Sequence, residues 1–146
     1  MSVIFFGVGN ALHSDDGAGP FLAHLLEGGT VSAFDCGTAP ENFTGIVRRK
    51  RPDTLVIADA ALMGCRPGEV RRIPADKIHD TAVGTHMMSL AFLAEYLKED
   101  AGEIIFLGIE PLSLADGEGL SDAVCSAVLS LKDAVLSCNF SGILPL

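Results

Sequence analysis

The chain has no C-x-x-C pair: its four cysteines, Cys36, Cys65, Cys125 and Cys138, lie far apart. That spacing excludes a zinc knuckle and a dithiol redox motif, and makes Cys125 and Cys138 reduced thiols on or near the last helix. Lys and Arg are absent before Arg48, and eight of the ten basic residues fall between Arg48 and Lys77, so the first third is purely acidic. With a net charge of -9 and a pI near 4.7, the sequence lacks the cationic footprint that nucleic acid or an anionic membrane requires. A signal peptide and an apolar run long enough to span a bilayer are also missing, so a cytoplasmic protein is expected. Without internal repeats or linkers, residues 1–146 are expected to form one domain, large enough to bury a core unaided by disulfide or metal staples.

What is present reads as alternating strands and helices. Val3–Phe6 is a short apolar run, expected as a strand buried on both faces. Pro20 fits a first helical position, and Phe21, Leu22, Leu25 and Leu26 form an apolar stripe that Gly28-Gly29 ends. Val31–Phe34 follows as a strand. A second helix starts at Pro40 and closes at Arg48, Arg49, Lys50 and Arg51, where cations favour a carbonyl terminus. Thr54–Ala58 is a third strand ending on Asp59, and the alternating residues of Gly68–Pro74 form an exposed edge strand. Thr85 can cap a helix to about Lys98, with Met87, Leu90, Ala94 and Leu97 inward. Glu103–Ile109 is another buried strand, and Ser121 caps a final helix with Val124, Val128, Leu131 and Val135 inward. This order predicts an α/β fold, a three-layer α/β/α sandwich around a mostly parallel, twisted sheet of about five strands.

Parallel strands direct their carboxyl ends to one edge, where the connecting loops build a ligand site. That edge should gather Asp15 and Asp16 after the first strand, Asp35 to Thr38 after the second, Asp59 after the third and Glu110 after the later one. A paired carboxylate in a glycine-rich turn is unusual, because such turns bind anions through backbone amides whereas carboxylates invite a cation. His86, in the first turn of its helix, can face the same edge, and the helix dipole favours its neutral form. Two aspartates and a histidine suit a divalent first-row metal with room for water or substrate.

Plainer roles compete. Either Asp15 or Asp16 can cap the first helix. Asp59 follows a buried run in which an unpaired carboxylate is costly, and His86 can be an ordinary first-turn residue. Met87 and Met88 read as core, and His13, His24 and His79 as surface or structural. Cys36 is the one thiol near the edge, and it would be a nucleophile only with a histidine base such as His86 in reach.

Several motifs together carry a resemblance: Gly7-Val-Gly-Asn10, Asp15-Asp-Gly17, Gly19-Pro20, Asp35-Cys-Gly-Thr-Ala-Pro-Glu-Asn42, Val56-Ile-Ala-Asp59, Thr85-His86 and Phe106-Leu-Gly-Ile-Glu-Pro111. In this order they span nearly the whole chain, which resembles the hydrogenase maturation endopeptidases. The Ala-Pro-Glu-Asn run is similar to the branch serving hydrogenase-3 or coenzyme-F420-type large subunits. The resemblance implies a phosphorylase/hydrolase-like sandwich and an aspartic-type endopeptidase. Its implied activity is removal of a C-terminal extension from the nickel-iron hydrogenase large-subunit precursor after nickel insertion. The nickel would come with the precursor, with no tightly bound metal of the protease's own, and a monomer is expected.

By the same resemblance, the metal-contacting and catalytic residues fall on Asp16, Asp59 and His86. Asp35, Cys36, Gly37 and Thr38 match a loop that recognises the precursor. Cys36 stands where the family usually has glycine, which leaves the backbone conformation there open. Two other functions fit the same side chains: a metal-dependent hydrolase of a small molecule, and a non-catalytic metal-sensing binding module.

Overall fold

The computed structural model describes the backbone of residues 2–81 and 86–146, and side chains other than those of 79–89. Among the described residues, five strands form one sheet: β1 (Val3–Val8), β2 (Ser32–Gly37), β3 (Thr54–Ala60), β4 (Val70–Arg72) and β5 (Glu103–Ile109). Their order is β2-β1-β3-β5-β4. β1 runs parallel to β2 and β3, and β3 to β5, while β4 pairs antiparallel with β5 at the edge. The helices are α1 (Ala18–Leu25), α2 (Thr44–Lys50), α3 (His86–Leu97) and α4 (Asp122–Ser137).

The period of two along each strand divides the core into two layers. Phe5, Val56, Ala58, Leu107 and Ile109 pack with α1 and α4 residues such as Leu22, Val128 and Leu131. Ile4, Phe6, Leu55, Ile57 and Phe106 pack on the other face with Val47 of α2 and Leu90, Leu93 and Leu97 of α3. Phe6, Phe34 and Phe43 meet with ring centroids 6.0–6.2 Å apart on that second face. These are the expected three layers, with every strand of the central β1 and β3 buried throughout.

Several boundaries differ from the sequence expectation. A 3-10 turn, Ser14–Gly17, precedes α1, so the helix starts at Ala18 and Pro20 is its third residue. Proline is tolerated there because the first four helical N–H groups have no intrahelical acceptor. Neither Asp15 nor Asp16 caps α1, whose N-cap is Gly17 without a side-chain bond. The second helix likewise opens with a 3-10 turn, Pro40–Phe43. β2 begins one residue late and continues through Gly37, because an edge strand needs only one partner ladder and tolerates polar residues. Its ladder with β1 reaches Gly7↔Asp35 and, after a register shift, Val8↔Gly37. Asp35, Cys36 and Gly37 therefore lie in the strand, and Thr38 follows it.

Elsewhere the agreement is close. β5 has the expected bounds, and Ser121 caps α4 by accepting from the Val124 N–H. The cations Arg48, Arg49 and Lys50 occupy the last turn of α2, and Arg51 ends it in the left-handed region at φ 43°. Arg51 also donates to Asp100 and the Glu99 carbonyl, and Arg48 stacks 4.3 Å from the Tyr96 ring centroid. All four cysteines are free thiols. No helix among the described residues is long and apolar enough to cross a membrane. The proposed cap Thr85 lies outside the described residues, as do the side chains of Met87, Met88 and His79.

Candidate active site

β1 connects to β2 through α1 on one face, whereas the chain leaving β3 travels the other way towards β4 and β5. The crevice between β1 and β3 is thus the topological switch point, where open α/β sheets bind ligands outside the carboxyl ends of their strands. Close backbone packing builds it. A Cβ on Gly7 would lie 2.1 Å from the Gly19 carbonyl oxygen, and one on Gly19 would lie 2.6 Å from the carbonyl oxygens of both Val8 and Ala58. Glycine at both positions lets the first turn of α1 rest on the ends of β1 and β3.

Asp16 and Asp59 border this crevice. Asp16, in the 3-10 turn, is 5% exposed, and its Oδ2 accepts the Asn10 N–H at 2.9 Å. A Cβ on Gly9 would fall 1.8 Å from the Asp16 carbonyl oxygen, so only glycine lets the turn fold back this tightly over the end of β1. Asp59 is 2% exposed and lies inside β3, paired with Gly108 of β5, not just beyond the strand. By alternation it belongs to the same face as Leu55 and Ile57, the face covered by α3. His86 is the first residue of α3. Its side chain lies outside the described residues, and among those described no three carboxylate, imidazole or thiol groups are gathered to hold a metal ion.

Asp15 and Asp16 have separate environments although they are adjacent. Asp15 is fully buried and accepts from the amides of Leu112 at 2.8 Å, Ser113 at 3.2 Å and Ser121 at 2.7 Å, and from the Ser121 hydroxyl at 2.9 Å. Burial opposes its ionisation, but the Ser121, Leu112 and Ser113 amides and the Ser121 hydroxyl outweigh that, holding the carboxyl below its ordinary value. Asp15 is a tie between the β1–α1 turn and the β5–α4 loop, a role with no sequence signal beyond the doubled aspartate. Glu110 does similar work. Its Oε1 accepts from Met63 at 2.8 Å and Cys65 at 2.9 Å, fixing the loop after β3.

The Asp35–Thr38 segment adjoins this edge. The Gly9 N–H donates to the Gly37 carbonyl at 2.9 Å, joining the Asp35–Thr38 segment to the turn that holds Asp16. Asp35 accepts the Gly37 N–H on Oδ1 at 3.0 Å, and its Oδ2 lies 3.0 Å from His24 Nε2. The other His24 nitrogen lies 2.9 Å from Glu27, and hydrogen bonds to Asp35 and then Glu27 push the imidazole's pKa up. His24, read from sequence as merely surface or structural, thus braces Asp35 from α1. Cys36 is buried and does not have a positive φ; Gly37 does, at 53°. The family glycine replaced by Cys36 is therefore not needed for left-handed backbone here. Burial, then Asp35 and Glu41, push the Cys36 thiol up to about 12, which removes the thiolate a cysteine nucleophile needs. Beside Asp35 a cavity of about 320 Å3 is lined by Pro20, Phe21, His24, Leu120 and Cys125, among others.

An open sheet covered on both faces, with buried carboxylates at its switch point, defines an open α/β protein with a candidate ligand site at that edge. The family pattern described as hydrogenase maturation protease matches residues 22–138. The hydrogenase 3 maturation protease of Escherichia coli (strain K12) is 45% identical over 115 residues, covering 76% of this chain and 74% of that protein. The solution structure of the endopeptidase HycI from Escherichia coli superposes with a TM-score of 0.86 at 35% identity, covering 100% of this chain and 97% of the other. The [NiFe] hydrogenase maturation protease HycI from Thermococcus kodakarensis KOD1 has a TM-score of 0.79 at 28% identity, covering 94% and 92%. The chain belongs to the hydrogenase maturation proteases. It is a peptidase of that family.

Proposed function

We propose that this peptidase removes the C-terminal extension of a nickel-iron hydrogenase large-subunit precursor, and that Asp16, Asp59 and His86 engage the nickel which the precursor already carries. The observation that carries this reading is the pair of buried carboxylates at the crevice between β1 and β3. Carboxylate oxygens and an imidazole nitrogen suit a divalent first-row ion. A site that uses the substrate's metal needs no tightly bound metal of its own.

In this mechanism the precursor's nickel ion brings the scissile peptide to the crevice. The ion polarises the carbonyl or a water molecule, and one aspartate accepts the water's proton. The Asp35–Thr38 segment and the adjoining cavity receive the polypeptide around the cleavage point. Tying recognition to the metal makes trimming conditional on nickel insertion.

The test compares nickel-loaded with nickel-free precursor, followed by intact mass spectrometry. Loss of the extension from the loaded form alone is expected. Equal trimming of both forms removes the metal-checking role and leaves an ordinary endopeptidase.

A further inference from the structure

His24 stands in the last turn of α1, where a cation is favoured. Its two ring nitrogens face two carboxylates: Nδ1 lies 2.9 Å from Glu27 Oε1, and Nε2 lies 3.0 Å from Asp35 Oδ2. An ionised carboxylate can only accept, so an imidazole that serves both must donate from both nitrogens and carry a proton on each. The bridge in this geometry therefore requires His24 to be charged.

From Asp35 the bonding continues inward. Asp35 Oδ1 accepts the Gly37 N–H at 3.0 Å, and the Gly37 carbonyl accepts the Gly9 N–H at 2.9 Å. The next amide, that of Asn10, donates to Asp16 Oδ2 at 2.9 Å. A surface imidazole is thus linked, through the ends of β2 and β1, to an aspartate of the crevice. Two of the links are glycines at positive φ, Gly37 at 53° and Gly9 at 143°. Glycine has more backbone freedom than any other residue, so these bonds are what select one conformation.

The surroundings leave His24 to these partners. Among the described residues that line the cavity beside Asp35, the others, Cys125 of α4 included, are uncharged. β1 has no titratable side chain, and Asp59 of β3 belongs to the opposite face. In the turn before α1, Asp15 is engaged by Ser121 and Asp16 by Asn10. Asp122, Lys132 and Asp133 of α4 lie outside the cavity. Because His24, Glu27 and Asp35 are 59%, 65% and 38% exposed, their ion pairs add little to global stability. A local effect on the Asp35–Thr38 segment is what pairs of this strength can exert.

We infer that His24 is a positioning residue whose protonation holds the Asp35–Thr38 segment against the Asp16 turn and makes precursor binding at this site dependent on pH. This rests on the proposed function, in which that segment receives the polypeptide. With His24 charged, the segment is pre-ordered, which lowers the entropy lost on binding. With His24 neutral, one carboxylate contact is lost and the segment loosens.

The link is read first on the protein alone, by NMR of isotope-labelled protein. The amide resonances of Gly37, Gly9 and Asn10 should move with pH at the midpoint of the His24 ring, and in His24→Gln that step should vanish. Amides indifferent to the His24 titration overturn the link. Trimming of nickel-loaded precursor is then measured against precursor concentration on either side of that midpoint. Wild-type KM should rise about two- to fivefold as His24 loses its proton, the size expected of an exposed ion pair, with no matching step in kcat. His24→Gln should show the higher KM at both pH values, whereas His24→Arg, which keeps the charge and several donors, should keep the lower one. His13→Gln alters another exposed histidine, 3.4 Å from Asp116 and outside this chain of bonds, and should retain the wild-type step. A wild-type KM without the step, or a step that persists in His24→Gln, overturns the role of His24. If wild-type protein fails to trim the precursor at all, the proposed function is wrong and the pH-dependent binding falls with it; if it trims with a pH-independent KM, only the inference about His24 is wrong.

Discussion

Asp15 and Ser121, 106 positions apart, are joined twice: the Ser121 amide donates to one carboxylate oxygen at 2.7 Å and its hydroxyl to the other at 2.9 Å. The same hydroxyl accepts the Val124 N–H at 3.4 Å and starts α4. One buried carboxylate therefore fixes the turn beside the crevice and the helix across it.

Replacing that carboxylate exposes the arrangement. Asp15→Asn turns an amide NH2 towards N–H donors, and a lost charge-assisted bond of this kind costs about 3 kcal/mol. Because the folded-state pKa of Asp15 is depressed, its contribution is fully present above the ordinary carboxylate value of 3.8 and is lost as pH falls through the lower folded value. Thermal unfolding from pH 7 to pH 2 should show wild-type stability falling in the acid limb and a shallower limb in Asp15→Asn. Parallel acid limbs would place the acid sensitivity elsewhere.

His24 and Asp35 give a second pH signature. The His24 pKa is raised, so the tie to Asp35 is complete below 6.5 and is lost as pH rises through the folded value. NMR titration should place His24 above 6.5, and Asp35→Asn should move it back towards 6.5. A wild-type midpoint at or below 6.5 contradicts the bridge. The pair is exposed, so its effect on global stability should be small.

Cys36 tests the nucleophile assignment. With its thiol buried and pushed up to about 12, it should resist alkylation at pH 8, and Cys36→Ala, in the segment that receives the polypeptide, should still trim precursor, with any effect falling on KM and not on kcat. Loss of trimming in a folded Cys36→Ala protein would return the thiol to the mechanism.

Gly19 tests how the crevice is built. A methyl group there would sit 2.6 Å from two strand-end carbonyl oxygens, so Gly19→Ala must push α1 away at a cost of about 1–3 kcal/mol. Denaturant melts should show that loss, and precursor trimming should fall with it. Wild-type stability in Gly19→Ala would mean that the close approach is relaxed in solution.

Much of this molecule is legible in the sequence because its signals are local. Glu103–Ile109 is a continuous apolar run between turn residues, and Ser121 has the cap chemistry of a helix start. The family motifs also keep their order along most of the chain. What escapes is set by distant partners. Asp15 looks like a helix cap until Leu112, Ser113 and Ser121 are folded against it. Glu110 reads as a strand-end residue, yet it serves two amides of another loop. β2 extends through Asp35, Cys36 and Gly37 because β1 offers a ladder there, which the local polarity conceals. His24 gains its role only when α1 packs beside β2.

The most direct measurement is intact mass spectrometry of nickel-loaded precursor after incubation with wild-type protein, Asp16→Asn and Asp59→Asn, with a thermal melt of each variant. The expected result is loss of the C-terminal extension with wild type alone, while both variants melt cooperatively as folded proteins. Trimming by either folded variant at the wild-type rate contradicts the two-carboxylate site.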